Sequence, residues 1–222
     1  MSHINNQNIL DYLKAIRGKD TLIIEQIRRY ALDNNVPIIK DEMKDFLQVI
    51  IAAVKPVKIL EIGTAIGYSS IIMSNSSESV KQIITLEKSE EMIKIAGKNI
   101  TNAEKNSIIK ICIGDAEKTL EELEGQFDLI FMDAAKGQYI TFLPHCLRLL
   151  KKGGILISDN VLQDGYIAKS RWSIPRRQRT IHRRMRQYLW ELNHNSALKT
   201  AILPIADGIT LSYKTEEDNT DE

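Results

Sequence analysis

The stretch Lys58-Ile-Leu-Glu-Ile-Gly-Thr-Ala-Ile-Gly-Tyr-Ser-Ser70 decides the architecture. Lys58 to Ile62 carries apolar and β-branched residues on both faces, the pattern of a central parallel strand covered by helices on either side. Gly63 and Gly67 bracket the turn that follows, where glycine accepts a positive φ and lets a ligand approach the backbone. The next helix then aims its free N–H groups over the strand end. The spacing Glu61-x-Gly63-x-x-x-Gly67 is not the G-x-G-x-x-G of dinucleotide-binding folds. It predicts a loop for an adenosine-containing cofactor.

Downstream, strands and helices alternate. Strands are expected at Gln82 to Leu86 (ending in Glu87), Ser107 to Ile113, Phe127 to Met132 (ending in Asp133), and Ile155 to Ser158 (ending in Asp159-Asn160). Helices are expected at Ser89 to Asn102, with Ser89 as cap, and at Tyr139 to Leu150, stopped by Lys152-Gly153-Gly154. A further helix is expected from Pro175 to about Asn193. Ala201 to Tyr213 reads as two strands around a tight Asp207-Gly208 turn. Upstream, residues 8–35 read as two short helices forming a cap or a dimer contact, and Asp41 opens a third helix closed by Pro56. Five βα units followed by a hairpin predict an α/β fold, a doubly wound, Rossmann-like, mostly parallel sheet with an antiparallel last strand.

Composition excludes several classes. The 222 residues are 43% hydrophobic and 27% charged, ordinary values for one globular α/β unit. No apolar run approaches the ~20 residues of a membrane span, and the polar start, Met1 to Asp11, has no signal-peptide core. Two cysteines, Cys112 and Cys146, imply no disulfide framework, so a cytoplasmic protein is expected. The net charge of +1 conceals an asymmetry: residues 161–200 hold nine Lys or Arg against two acids, +7, which leaves −6 elsewhere. Such a patch steers polyanions, and arginine forks onto phosphate and stacks on bases. Arg171, Arg176, Arg177, Arg179, Arg183 and Arg184 are therefore the candidate nucleic-acid contacts; salt bridges to a partner protomer are the alternative.

In doubly wound sheets ligands bind at the carboxyl ends of the strands, and here those ends are acidic. Glu87 is placed to accept ribose hydroxyls, and Asp115-Ala116 to flank an adenine. Asp133, Asp159 and Asn160 offer two carboxylates and an amide oxygen, a hard donor set suited to Mg²⁺ or a similar cation.

Together, Glu61-Ile-Gly-Thr-Ala-Ile-Gly-Tyr-Ser69, the Glu87 strand end, Asp133-Ala-Ala-Lys-Gly-Gln-Tyr139 and Asp159-Asn-Val161 resemble the metal-dependent S-adenosylmethionine O-methyltransferases, the group with the catechol and caffeoyl-CoA enzymes. The Asp133–Tyr139 run and the Arg-rich insertion are most similar to the bacterial tRNA 5-hydroxyuridine methyltransferases. The resemblance implies a seven-stranded class I methyltransferase sheet. It implies a helical cap over 1–36, a methyltransferase domain over 37–214 with the Arg-rich insertion at 162–195, and an acidic tail over 215–222. It further implies that Gly63, Tyr68, Ser69 and Ser70 line the methionine end of the cofactor, with Glu61 in the same loop. Glu87 would hold the ribose, Asp115 and Ala116 would flank the adenine, and the backbone near Ile39 and Lys40 would touch the cofactor. Asp133, Asp159 and Asn160 would bind the metal, with Asp133 also near the cofactor. Lys136 would stand over the acceptor oxygen as general base or electrostatic helper.

The implied reaction is methyl transfer to the 5-hydroxyl of 5-hydroxyuridine at a tRNA wobble position, giving 5-methoxyuridine; a homodimer is expected because symmetric dimers are common and the N-terminal helices could make one. Three alternatives stay open at this point: the same chemistry on a small catechol-like or CoA-linked phenol, a non-catalytic RNA-binding module, and a nicotinamide oxidoreductase, the last disfavoured by the loop spacing.

Overall fold

A computed structural model describes residues 6–215 of the chain. Three helices come first: α1 (Gln7–Ile16), α2 (Leu22–Asp33) and α3 (Asp41–Val54). Asn6 caps α1 by accepting the Asn8 amide. α1 buries none of its side chains, and Ile9, Tyr12 and Ile16 are largely exposed. α2 behaves differently, sinking Ile24, Ile27 and Ala31 into one core with Met43, Leu47 and Ile51 of α3. The junction between them is ionic. Lys44, buried on α3, donates to both carboxylate oxygens of Asp20 at 2.5 and 2.6 Å, and Asp41 takes Arg17 and Arg28.

The alternation follows as β1 (Lys58–Ile62), α4 (Tyr68–Asn75), β2 (Gln82–Glu87), α5 (Glu90–Asn102), β3 (Ile109–Ile113), α6 (Ala116–Glu122), β4 (Phe127–Met132), α7 (Tyr139–Leu149), β5 (Leu150–Ser158), α8 (Arg179–His194), β6 (Leu198–Leu203) and β7 (Ile209–Lys214). These strands form one sheet in the order β3-β2-β1-β4-β5-β7-β6. The first five are parallel, and β7 enters antiparallel between β5 and β6. Apolar residues on both faces of each central strand give two cores: Ile59 of β1 joins the one under α3 and α4, while Leu60 and Ile62 join the one under α7 and α8. This is the expected doubly wound sheet with an antiparallel last strand.

Local boundaries differ in several places, among them β6, which begins at Leu198 rather than Ala201. β3 begins at Ile109 rather than Ser107. Lys152 to Gly154, read as a helix stop, is already strand: β5 starts at Leu150, and Gly153 at φ +75° sits where the β4–β5 register shifts. Gly153 serves that irregularity, where β5 carries three more residues than β4 and the backbone takes the positive φ that a helix end also favours. α8 begins at Arg179, after a 3₁₀ turn at Arg176–Gln178, so Arg176 and Arg177 do not share its faces. The hairpin turn is not a tight pair. β6 and β7 are joined by residues 204–208, because Leu203 already pairs with Ile209. The acidic tail expected over 215–222 lies, past Thr215, outside the described residues. No helix among the described residues is long and apolar enough to cross a membrane.

Candidate active site at the carboxyl edge of the sheet

The loops after β1 to β5 enclose a cleft of about 480 Å³, bounded also by Pro37, Ile38 and Ile39 ahead of α3. Its floor depends on Gly63. That residue holds φ +106° and donates from its amide to Leu86 O at 3.1 Å. A Cβ there would overlap the Asp133 carbonyl, with the carbonyl carbon at 2.9 Å. The loops of β1 and β4 therefore touch backbone to backbone, a contact only glycine permits. Gly67 caps α4 in the left-handed region at φ +80°, but a Cβ there would meet Ala96 only at an ordinary 3.5 Å.

Glu61 is fully buried beneath this loop. Its carboxylate accepts hydroxyl bonds from Ser69 at 2.5 Å, from Thr85 at 2.5 Å and from Ser70, and Thr85 in turn contacts the Thr64 hydroxyl at 2.6 Å. Burial pushes the carboxyl up to about 7, against the pull of the three hydroxyl bonds. Glu61 thus ties β1, β2 and the first turn of α4 together from below. Of the loop residues assigned to the cofactor, Gly63, Tyr68 and Ser69 line the cleft, while Glu61 and Ser70 stand behind them as support. Ile39 lines the cleft; Lys40 is outside the lining and exposed.

Glu87 sits at the end of β2, facing the same space. Its carboxylate accepts backbone amides from Ala65 (2.9 Å), Lys88 (2.9 Å) and Ser89 (3.0 Å), which fix its orientation and leave lone pairs for further donors. Asp115 caps α6 through the Glu117 amide at 3.1 Å, and Asp115 and Ala116 close the wall beyond Glu87.

The other end of the cleft holds Asp133, Lys136 and Asn160. Asn160 stands in the left-handed region at φ +61° and presents its side-chain amide to Asp133 at 3.0 Å. Its own backbone amide donates to buried Asp159 at 2.6 Å. Asp133 thus forms one cluster with the adjacent pair Asp159 and Asn160, the latter 27 residues further along the chain. Burial raises the proton affinity of both carboxyls, and the Asp133 charge raises that of Asp159 further. Two buried acids that resist ionising together are stabilised by a divalent cation, and the donor set fits a hard one once the amide turns its oxygen inward. Among the described residues no group of three or more His, Cys, Asp or Glu could hold a metal ion.

Lys136 opens a short 3₁₀ turn, Lys136–Gln138, and its Nζ lies 3.0 Å from Asp207, a carboxylate read from the sequence only as a turn residue. β7 runs antiparallel, so its beginning meets the edge where β4 and β5 end. Asp207, two residues before β7, therefore arrives beside Asp159. The acidic strand-end pattern extends to it, and the antiparallel last strand expected from the sequence was the signal that could have placed it there.

Of the six arginines assigned to nucleic acid, Arg171, Arg176, Arg177, Arg183 and Arg184 are exposed and Arg179 is half-buried, and none of the six forms an ion pair among the described residues. Arg171 and Arg179 flank the exposed Trp172 ring at 5.5 and 5.2 Å. Arg184 departs from its expected free role: it donates to Gly137 O at 2.9 Å and so braces the loop bearing Lys136. His182 is buried against Lys169 O at 3.2 Å.

Residues 14–215 match a family model described as O-methyltransferase. The catechol O-methyltransferase of Niastella koreensis is 32% identical over 176 residues, 75% of this chain and 77% of its own. The caffeoyl-CoA O-methyltransferase of Stellaria longipes is 26% identical over 228 residues, 90% of this chain and 95% of its own. Among solved structures, a Podospora anserina methyltransferase bound to S-adenosylhomocysteine superposes with a TM-score of 0.82 at 26% identity, covering 96% of this chain and 97% of that one.

Proposed function

Since the chain belongs to the O-methyltransferase family, we propose that it transfers the methyl group of S-adenosylmethionine to the 5-hydroxyl of a 5-hydroxyuridine in the tRNA anticodon, with Mg²⁺ or another divalent cation at Asp133, Asp159 and Asn160. The bound donor supplies an electrophilic methyl, and the bound cation supplies positive charge beside the acceptor oxygen. The chain's own residues do the rest. Glu87, pre-oriented by three amides, accepts the ribose hydroxyls of the donor. The Gly63 turn, packed on the Asp133 backbone, would hold the donor's methionine end. Lys136, held at the cleft wall, sets a cation over the acceptor oxygen and stabilises the oxyanion left once the hydroxyl proton has passed to solvent. In-line transfer then depends on these groups keeping oxygen, methyl and sulfur aligned.

The observation that carries the RNA acceptor is the set of exposed, unpaired guanidiniums on the insertion that follows Asn160, joined to the Lys136 loop through Arg184. A second reading has its own support: the 32% identical relative is a catechol enzyme, and a catechol offers two adjacent oxygens, as the 5-hydroxyl and 4-carbonyl of 5-hydroxyuracil do. The test is methyl transfer by a triple Arg176→Ala, Arg177→Ala, Arg183→Ala variant, with unmodified protein alongside, to 5-hydroxyuridine-bearing tRNA and to catechol across a salt series. The RNA reading expects tRNA activity to fall steeply with salt in the unmodified protein, with each lost phosphate contact lowering that slope by about one. Turnover of catechol alone, unaffected by the arginines, would replace it by the phenol reading.

We further propose a cytoplasmic homodimer in which a second copy covers the face of α1 carrying Ile9, Tyr12, Leu13 and Ile16. Ile9→Glu with Leu13→Glu should yield monomers in light scattering; an unmodified protein that is itself monomeric refutes it.

A further inference from the structure

We infer that Asp207 is a positioning residue of the transfer reaction, holding the Lys136 ammonium at the acceptor end of the cleft and locking the Asn160 loop to the same point. This rests on the reading that Lys136 serves the acceptor. Asp207 is buried, with one carboxylate oxygen on Lys136 Nζ at 3.0 Å and the other on the Asp164 amide at 2.5 Å. Its backbone carbonyl takes the Leu162 amide at 2.9 Å, and the next carbonyl, Gly208 O, takes the Val161 amide at 2.9 Å. Three bonds to these two residues therefore clasp residues 161–164, the segment directly after Asn160, and a fourth holds Lys136. That segment needs a clasp, because Asn160, Gln163 and Asp164 all hold positive φ (+61°, +50° and +52°) without being glycine. Such backbone persists only where its surroundings over-determine it.

The arrangement allows no slack. A Cβ at Gly208 would press into Leu162, with Leu162 Cβ at 2.6 Å, so the turn and the loop lie in direct contact. Lys136 itself is only partly covered, with 34% of its side chain exposed, and a free lysine of that kind samples many rotamers. An ion pair to a nearly buried carboxylate selects one of them. The Lys136 loop is fixed from its other side by Arg184 on Gly137 O. Asp207 thereby joins an acceptor-side cation to an acceptor-side loop, acting through both without itself lining the cleft.

The test is a double-mutant cycle on the full chain, Asp207→Asn, Lys136→Met and both together, with Asp207→Glu as the conservative variant. Each is assayed for methyl transfer to 5-hydroxyuridine tRNA and to catechol, and for S-adenosylhomocysteine binding as the check on folding. Asp207→Asn should lower kcat by about ten- to a hundredfold, as loss of an outer-shell partner does, with cofactor affinity unchanged and partial recovery in Asp207→Glu. In the Lys136→Met background the same change should cost only what the loop clasp contributes, a smaller factor. Independently of any acceptor, limiting acetic anhydride followed by peptide mass spectrometry should label Lys136 several-fold faster in Asp207→Asn. Equal factors in both backgrounds, or unchanged labelling, would overturn the inference. If Lys136→Met turned over like the unmodified protein, the role given to Lys136 would fail, and the labelling would still decide whether Asp207 holds it.

Discussion

Replacing Gly63 by alanine perturbs one atom at the place where two site loops touch. The added Cβ meets the Asp133 carbonyl group, its carbon at 2.9 Å, and Ala134 Cα at 3.5 Å, in a residue held at φ +106°. The unfavourable φ costs roughly 1–3 kcal/mol, and relieving an overlap against backbone costs about the same again. The sum, about 2–6 kcal/mol, lowers the melting temperature by about 5–20 °C in a domain of this size. Gly67→Ala is the matched control. It has a positive φ of +80°, but its neighbours lie at 3.5 Å or beyond, so only the conformational cost of about 1–2 kcal/mol applies. The assay is paired thermal melting with calorimetric titration of S-adenosylhomocysteine. Gly63→Ala should melt well below Gly67→Ala and bind at least about tenfold more weakly, because 1.4 kcal/mol suffices for that and Asp133 lines the cleft. Equal melting temperatures with unimpaired binding would show that the loops do not need to touch.

Glu61, raised to about 7 by burial, should make the fold less stable as pH climbs from about 4.5 to 7, since the folded state keeps a proton the unfolded chain gives up. Glu61→Gln should abolish that contribution. Its stability relative to the unmodified protein then shifts in the variant's favour by about 3 kcal/mol across the window, and a pH-independent difference in denaturant titrations would contradict it. Lys44→Met leaves Asp20 without its partner at 2.5 Å and should destabilise by about 3–5 kcal/mol. Urea titrations of Lys44→Met and of Lys44→Met with Asp20→Asn measure it, and the double variant should be the less damaged. Removing divalent ions with a chelator should slow transfer by several kcal/mol of barrier, at least about a hundredfold, while S-adenosylhomocysteine binding persists. Undiminished turnover in chelator would dismiss the metal.

The order of elements and the acids at their ends were legible in the chain itself. Apolar runs of strand length, separated by helical periodicity and punctuated by Gly63, Gly67 and Ser89, admit essentially one topology, because βα units cross over with a fixed hand. That topology alone brings Glu87, Asp133, Asp159 and Asn160 to one edge. Features that depend on contact between distant segments were not legible. Glu61 looked like a cofactor ligand beside its glycine loop, yet strand alternation turns it inward, onto three hydroxyls. Arg184 looked like one more surface charge until α8 packed against the Lys136 turn. Asp207 looked like a turn former because an Asp-Gly pair between two strands has that local meaning wherever it occurs. What gave it a partner was the insertion of β7 antiparallel beside β5, with Ser158 opposite Thr210. Local composition sets which way a side chain leaves its own strand, but only the pairing of strands sets which charges face each other, since that is fixed by hydrogen bonds between segments far apart in the chain.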